Sequence, residues 1–355
     1  MDFLGLVVKY PVGRLLSIRE KAHHLHQKRR LNIEPRYQLS VIKFNSTFLE
    51  SVDKWFAWRG MVSAFACAAF FMLVGGATFI SVAWMMEAFK STTPSSEFGF
   101  WILNGAAMAI AGAVVGLSAI WLWRKDSFRF THYPMRFNRK SRTVHVFRPD
   151  GTVLSVPWEK IFFTLGHLTM WNEWEIRGYI LDANERISET FSLSYLGTLG
   201  TKDIASENNE YSSQDFVRAH WEFVRRYMED GPQSLSNQIQ FCMPVDGRRE
   251  SFRVGAERVF ANFASAPPLI YWLISPFCLI LSFFRWLAMY TSKVPRWPTD
   301  VEAACLVEPN DAYAIEGAPD GERVAVFPDA ALANGVRFCT PQESSTALGK
   351  PASKA

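Results

Sequence analysis

Two long apolar stretches, close together in the chain, constrain the fold more than any other feature of this sequence. Residues 61–86 and 98–123 contain no Asp, Glu, Lys or Arg. A helix needs about 20 consecutive apolar residues to cross the hydrocarbon core of a bilayer, and both stretches are longer than that. Because only Glu87–Glu97 separates them, the sequence predicts a transmembrane helical hairpin over residues 61–123.

Basic residues flank this hairpin unevenly, and the imbalance predicts its orientation. The loop contains Lys90 as its one basic residue, whereas Lys43, Lys54 and Arg59 precede the first span. A larger group follows the second span: Arg124, Lys125, Arg129, Arg136, Arg139, Lys140 and Arg142. Since cytoplasmic flanks carry the excess of Lys and Arg, we expect the N-terminus and the region after Trp123 to be cytoplasmic.

The N-terminal region, residues 1–60, is predicted to be a basic cytoplasmic segment. Apolar residues in its first half recur at helical spacing, opposite a basic face. Such a helix either lies on anionic lipid or packs on a soluble domain, and both interpretations remain open. Tyr37–Phe44 is predicted to be a strand. Thr47 and Glu50 form a capping-box pattern, which predicts a short interfacial helix before the first span.

Small residues form a ridge along the second span. Gly112 and Gly116 make a GxxxG pattern, and Gly105 and Ala109 extend it at the same spacing. Such ridges let helices approach closely in lipid. The ridge therefore packs either against the first span or against a second copy of the chain in a homodimer. Neither span contains Asp, Glu, Lys or Arg, although ion-coupled transport usually requires an ionisable group of this kind, and this argues against a transporter.

Residues 124–232 change to short alternating segments that are typical of β-strands. Turn residues such as Pro149-Asp150-Gly151 separate them. An amphipathic helix follows, opened by Ser212 or Ser213 and closed by Gly231-Pro232. The predicted strands are Phe128–Phe137, Thr143–Arg148, Thr152–Trp158, Ile161–Leu168, Trp174–Leu181 and Ile187–Tyr195.

This order of strands followed by one helix resembles the pleckstrin-homology-like barrel found beside membrane hairpins in bacteria. An open antiparallel sheet with a helix on one face is the alternative. The predicted fold class is thus an α+β membrane protein, with a transmembrane α-hairpin, a third apolar helix and an antiparallel β cytoplasmic domain closed by an amphipathic helix. Four basic residues near a turn are predicted either to contact lipid headgroups or to form a solvated turn: Arg136, Arg139, Lys140 and Arg142.

A third apolar segment, residues 259–290, follows a predicted linker at 233–258. Prolines interrupt it, including Pro267 and Pro276, and proline breaks helical hydrogen bonding. We favour a full span that begins near Pro267 and places the tail, residues 291–355, outside. A re-entrant hairpin would leave the tail in the cytoplasm. If the segment spans, we expect a disulfide between Cys305 and Cys339; the end of the tail is predicted to be disordered.

Motifs of enzymes are missing from the sequence. It contains no G-x-S-x-G or H-E-x-x-H pattern, and no Gly-rich loop opens a predicted helix. A neighbouring group of histidines, His23, His24 and His26, has spacings that do not converge on one helical face. We therefore predict no catalytic residue, no metal and no cofactor. The net charge of +4 is too small to indicate nucleic-acid binding.

Two groups of residues carry a resemblance to a known family. They are Pro134–Lys140 with Val144–Val153 and Pro157-Trp158, and Thr291–Pro298 with Val301, Glu302 and Cys305. The chain resembles an uncharacterised bacterial family of multi-span inner-membrane proteins found near type VI secretion gene clusters. The resemblance implies a bacterial inner-membrane location and a protein partner, either a toxin or a secretion component, with this chain as an immunity or accessory protein. It brings no catalytic residues with it. A membrane-lipid-sensing or transport-associated module is the alternative function.

Overall fold

A computed structural model describes residues 10–90, 94–168, 173–193, 213–239, 242–261 and 267–316. Within this part of the chain, α-helices and antiparallel sheets are both present. Three helices are long and apolar enough to cross a membrane: Met61–Ala88, Ser95–Asp126 and Leu269–Thr291. The prediction of an α+β protein with three apolar helices is therefore confirmed.

The first two of these helices form the predicted hairpin. The first consists of α2 (Met61–Ala69), a π-helical turn (Phe70–Val74) and α3 (Gly75–Ala88), and the second is α4 (Ser95–Asp126). Three of the four small residues predicted to form a ridge, Gly105, Gly112 and Gly116, are buried, whereas Ala109 is exposed. A Cβ atom on Gly112 would lie 3.0 Å from that of Ala77. The buried glycines therefore face the first helix of the same hairpin.

The larger sheet is assembled from distant parts of the chain. Its strands are β1 (Val41–Phe44), β2 (Phe48–Ser51), β3 (Met135–Asn138), β4 (Thr143–Phe147), β5 (Val153–Pro157) and β9 (Ile315–Glu316). They pair antiparallel in the order β5-β4-β3-β2-β1-β9. The whole helical hairpin is inserted between β2 and β3, which are neighbours in the sheet.

A second sheet and a helix complete the soluble core. The sheet contains β6 (Ile161–Leu168), β7 (Glu173–Leu181) and β8 (Ile187–Ser192), and α5 (Ser213–Glu229) packs on it. Spacings of three and four residues place the apolar side chains of α5 on one face, and Trp221 at its centre is fully buried. The Trp221 ring stacks 5.7 Å from that of Trp158. These contacts join the two sheets and the helix in one core.

The third apolar segment leaves the larger sheet and returns to it. Two helices form this part of the chain: α6 (Phe252–Ala261), which begins in the predicted linker, and α7 (Pro268–Thr291). They pack together through Val259 and Leu281. Before α6, the Met243 amide donates to the Val41 carbonyl of β1 at 2.7 Å, and near the end of α7 Met289 packs with the same strand. Both ends of the segment therefore lie at one side of the sheet.

The described part of the tail also belongs to the larger sheet. Its short helix α8 (Thr299–Ala304) contributes Val301 to a cluster with Phe48 of β2, and β9 pairs with β1. The favoured prediction of a single full span, with the tail on the opposite side from the β domain, disagrees with this pairing. The re-entrant alternative agrees with it, because the chain enters and leaves the third apolar segment at the same side.

The N-terminal region differs from the prediction. In place of the helix predicted from Thr47 and Glu50, the chain forms β2 and then a 3₁₀ turn at Lys54–Trp58. Pairing with strands on both sides overrides the local helical pattern. The predicted amphipathic helix shortens to α1 (Ile18–Ala22), which has a capping box of its own from Ser17. It contacts β6, so the region is part of the β domain.

Other boundaries also shift. The strand predicted at Phe128–Phe137 is limited to β3, because Phe128 has a φ of +62° and the chain before Met135 is irregular. The predicted linker, residues 233–258, contains most of α6. The predicted disordered end of the tail, from Pro341, lies outside the described residues, which end at residue 316.

Candidate functional site

A buried carboxylate joins the two helices of the hairpin at the end nearest the β domain. Asp126, the last residue of α4, accepts hydrogen bonds from the backbone amides of Gly60 and Ser63, both at 3.0 Å, and from the Ser63 hydroxyl at 2.8 Å. It thus caps the free amides at the start of α2 and complements the positive end of that helix. Arg59 Nη1 lies 3.5 Å from Asp126 Oδ1, and both side chains are fully buried.

The third apolar segment is attached at the same place. Arg285 of α7 makes two hydrogen bonds to Glu250, at 2.6 and 3.0 Å, and donates to the Phe56 carbonyl at 3.0 Å. Gly60 has a φ of +83°, and a Cβ atom there would lie 2.2 Å from the Arg285 Cα. Glycine is required at this position, because it allows both the left-handed backbone and the close approach of α7.

These buried pairs fix the helices to the β domain. Removing one partner of a buried ion pair leaves an uncompensated charge and costs about 3–5 kcal/mol. The two pairs, Arg59 with Asp126 and Arg285 with Glu250, therefore hold α4 and α7 against the segment between β2 and α2.

A cleft of about 500 Å³ opens beside this junction. It lies between β4 and β5 of the larger sheet and β8 of the second sheet, next to the end of α4. This volume falls within the range of about 300–1,000 Å³ that is typical of small-molecule sites. Apolar walls come from residues such as Phe147 and Leu154, and Lys125 and Arg129 contribute cations.

The interior of the cleft contains an unsatisfied acceptor. Asp53 is 4% exposed, and its Oδ1 accepts the Tyr133 amide at 2.8 Å, whereas its Oδ2 has no partner among the described residues. Burial raises the pKa of the Asp53 carboxyl above its ordinary value. The Thr190 hydroxyl, also on the cleft wall, is likewise buried without a described partner. Such groups are costly unless a water or a ligand satisfies them.

The charged residues at the rim divide into paired and unpaired groups. Arg148 forms an ion pair with Glu189 at 2.8 Å, which connects the two sheets across the cleft. Lys125 lies 5.0 Å from the centre of the Trp121 ring, and Arg129 is exposed. Neither Lys125 nor Arg129 has an acidic partner among the described residues.

The four basic residues predicted to contact headgroups lie elsewhere. Because Ser51 pairs with Met135 beside the hairpin and Phe48 pairs with Asn138, the turn after β3 lies at the end of the strands away from the hairpin. Contact of these four residues with lipid headgroups stays a prediction. The four are also engaged with protein groups: Arg136 is buried against Glu50, Arg139 donates to the Ser46 carbonyl, Lys140 pairs with Glu308, and Arg142 pairs with Glu159 and Glu229.

The structure describes one of the two cysteines predicted to form a disulfide. Cys305 is a buried free thiol that receives a weak hydrogen bond from Asn138 at 3.5 Å, and Cys339 lies outside the described residues. The structure therefore leaves the predicted disulfide undescribed. In the ranges that the structure describes, no group of three or more His, Cys, Asp or Glu side chains could hold a metal ion.

Sequence reasoning missed the cleft. In the sequence, Lys125 and Arg129 indicate the orientation of the hairpin, and their position at the end of an apolar helix is the clue to a site there. Asp53 carries no local signal, because its burial depends on β3 returning to β2 after the hairpin. Its isolated position in the sequence is typical of an ordinary surface acid.

The fold and the junction define an α+β protein with three helices suited to a membrane. Residues 201–309 match a family described as a "Family of unknown function (DUF6708)". The matched range includes α5, which closes the core, and the third apolar segment. No curated protein matches the chain, and no solved structure matches it. The resemblance to an uncharacterised family agrees with this finding.

Proposed function

We propose that this chain is a non-enzymatic, multi-pass protein of the bacterial inner membrane whose β domain binds a protein partner in the cytoplasm. The partner class that we propose is a toxin or a component of type VI secretion, with this chain acting as an immunity or accessory protein. The β domain is proposed to be pleckstrin-homology-like. Support for that comparison comes from two antiparallel sheets followed by a helix that covers their core.

The observation that carries the proposal is the buried junction between the helices and the sheet. Asp126 caps α2 while pairing with Arg59, and Arg285 joins α7 to the same place. This junction keeps the β domain beside the helices, so that a partner-binding surface of the domain would lie close to the membrane. The uneven distribution of Lys and Arg around the hairpin supports a cytoplasmic β domain.

A binding role is favoured over catalysis by the chemistry of the cleft. Its described lining contains one deeply buried carboxyl, Asp53, and neither His nor Cys. The other two acids of its lining are already engaged, since Glu189 pairs with Arg148 and Asp150 accepts from Thr152. A nucleophile beside a general base, as most hydrolytic sites require, is not formed by these residues.

Contact-dependent competition tests the proposal. A strain that lacks the gene is expected to be killed by its parent, and the full-length chain should restore survival. The variant Asp126→Ala, which opens the junction, should restore it poorly, whereas Lys90→Ala in the loop at the other end of the hairpin should restore it fully. Equal survival of all strains, together with no stoichiometric partner in detergent-purified protein, would contradict a partner-binding role.

A further inference from the structure

We propose that the cleft beside α4 binds the headgroup of a membrane phospholipid. The phosphodiester lies between Lys125 and Arg129, and a terminal N–H or O–H group of the headgroup donates to Asp53. This inference rests on the proposed function in one respect, since it requires that α4 cross the bilayer.

The position of the cleft along α4 gives the first argument. Lys125 is the next-to-last residue of this helix, and the Trp121 and Trp123 side chains one turn earlier are 49% and 37% exposed. Trp side chains at the end of an apolar helix occupy the headgroup level of a bilayer. A cleft lined by Lys125 and Arg129 therefore opens where phosphates are concentrated.

The charges around the cleft select the ligand class. Arg148 is neutralised by Glu189, which leaves Lys125 and Arg129 as the cations without acidic partners among the described lining residues. Two cations four positions apart at a helix end can flank a single phosphate. An anionic phosphodiester satisfies both, and it lies in the adjacent lipid layer at high local concentration.

The buried acceptor Asp53 limits which phospholipid headgroups fit the cleft. Asp53 Oδ2 and Thr190 Oγ1 are both without a described partner, and an unsatisfied buried polar group is costly. Ethanolamine and glycerol headgroups end in N–H or O–H donors that can reach such an acceptor. The choline headgroup carries the same phosphate but has no such donor. The apolar walls, which include Phe147 and Leu154, suit the carbon atoms of the headgroup and the glycerol backbone.

The experiment is a lipid titration of the full-length protein in detergent, followed by native mass spectrometry. Phosphatidylethanolamine, phosphatidylglycerol and phosphatidylcholine with the same acyl chains are the probes. At least one donor-bearing lipid should bind about tenfold more tightly than phosphatidylcholine, because the latter leaves Asp53 unsatisfied. The double variant Lys125→Gln/Arg129→Gln should weaken binding of all three lipids about 30-fold, given about 1 kcal/mol for each basic residue near an anionic surface.

Two further variants complete the design. Asp53→Asn should abolish the preference for donor-bearing lipids. If Asp53→Asn does not fold, Thr190→Val, at a half-buried position, replaces it in the experiment and should reduce the preference. The matched control Arg124→Gln/Arg296→Gln removes two exposed cations that do not line the cleft, and it should bind like the wild type.

Three results would overturn the inference. The first is that the wild type binds the three lipids equally. The second is that the control variant and the Lys125→Gln/Arg129→Gln variant weaken lipid binding equally. The third is that soluble glycerophosphoethanolamine or inorganic phosphate binds as tightly as the intact lipid. The last result would identify a site for free phosphate esters. Recovery of the protein outside the membrane fraction would contradict the proposed function itself, and is measured separately.

Discussion

His132 shows how burial at the junction controls a single side chain. It is 2% exposed, its Nδ1 lies 3.0 Å from the Thr131 hydroxyl, and its ring meets that of Phe56 edge-on at 6.1 Å. Burial, followed by the nearby charge of Arg59, lowers the pKa of His132 to about 3. The folded protein therefore holds this imidazole neutral at pH values at which an unfolded chain would protonate it.

This pKa shift predicts a stability that falls in mild acid. Because the folded pKa is below the unfolded value of about 6.5, the stability is complete above pH 6.5 and is lost as the pH decreases towards 3. Between pH 7 and pH 5 the loss from His132 should be about 2 kcal/mol. The variant His132→Phe should show a smaller decrease in Tm over this interval, as measured by thermal unfolding of the full-length protein in detergent. An identical pH dependence in both proteins would contradict the assignment.

Among the elements, the helical hairpin depends on close approach at its glycines. Gly112 lies against Ala77, and Gly105 receives a hydrogen bond on its carbonyl from Ser81 at 2.7 Å. The variant Gly112→Leu should separate the helices and destabilise the protein by about 1–3 kcal/mol, as overpacking does. The same substitution at the exposed Ala109 is the matched control and should leave Tm unchanged.

Cross-linking separates this packing from dimerisation. A cysteine pair at Ala77 and Gly112, in a chain that lacks the native cysteines, should form a disulfide within one molecule. If the cross-linked product migrates as a dimer, Gly112 faces a second copy and the hairpin packing is contradicted.

Elements with local signals were predictable, and those that depend on distant partners were not. The bounds of β6 match the prediction, because its length and its turns are local features. By contrast, Thr47 and Glu50 indicated a helix, yet they lie in a turn and a strand that pairs with residues beyond the hairpin. The sequence also does not predict buried ion pairs such as Arg136 with Glu50, because each residue considered alone is typical of an exposed surface position.

For the whole molecule, the larger sheet is the element to which the chain returns after each long apolar segment. The hairpin leaves after β2 and returns at β3, and the third apolar segment leaves near Met243 and returns near Met289. The described tail then adds β9 to the same sheet. A sheet cannot form across a bilayer, because its strands must hydrogen-bond to one another. If the long apolar helices cross a bilayer, all strands of this sheet lie on the same side of it.

Site-directed labelling tests this topology. In a variant without the native cysteines, single cysteines replace Lys90 in the hairpin loop, Asp150 in the turn after β4, and Ala312 in the tail; both Asp150 and Ala312 are exposed. With a membrane-impermeant maleimide, we expect labelling of Lys90→Cys in intact cells and of the other two after permeabilisation only. Labelling of Ala312→Cys together with Lys90→Cys would mean that the third segment spans fully. It would also mean that β9 does not pair with β1 in the membrane, because the two strands would then be on opposite sides.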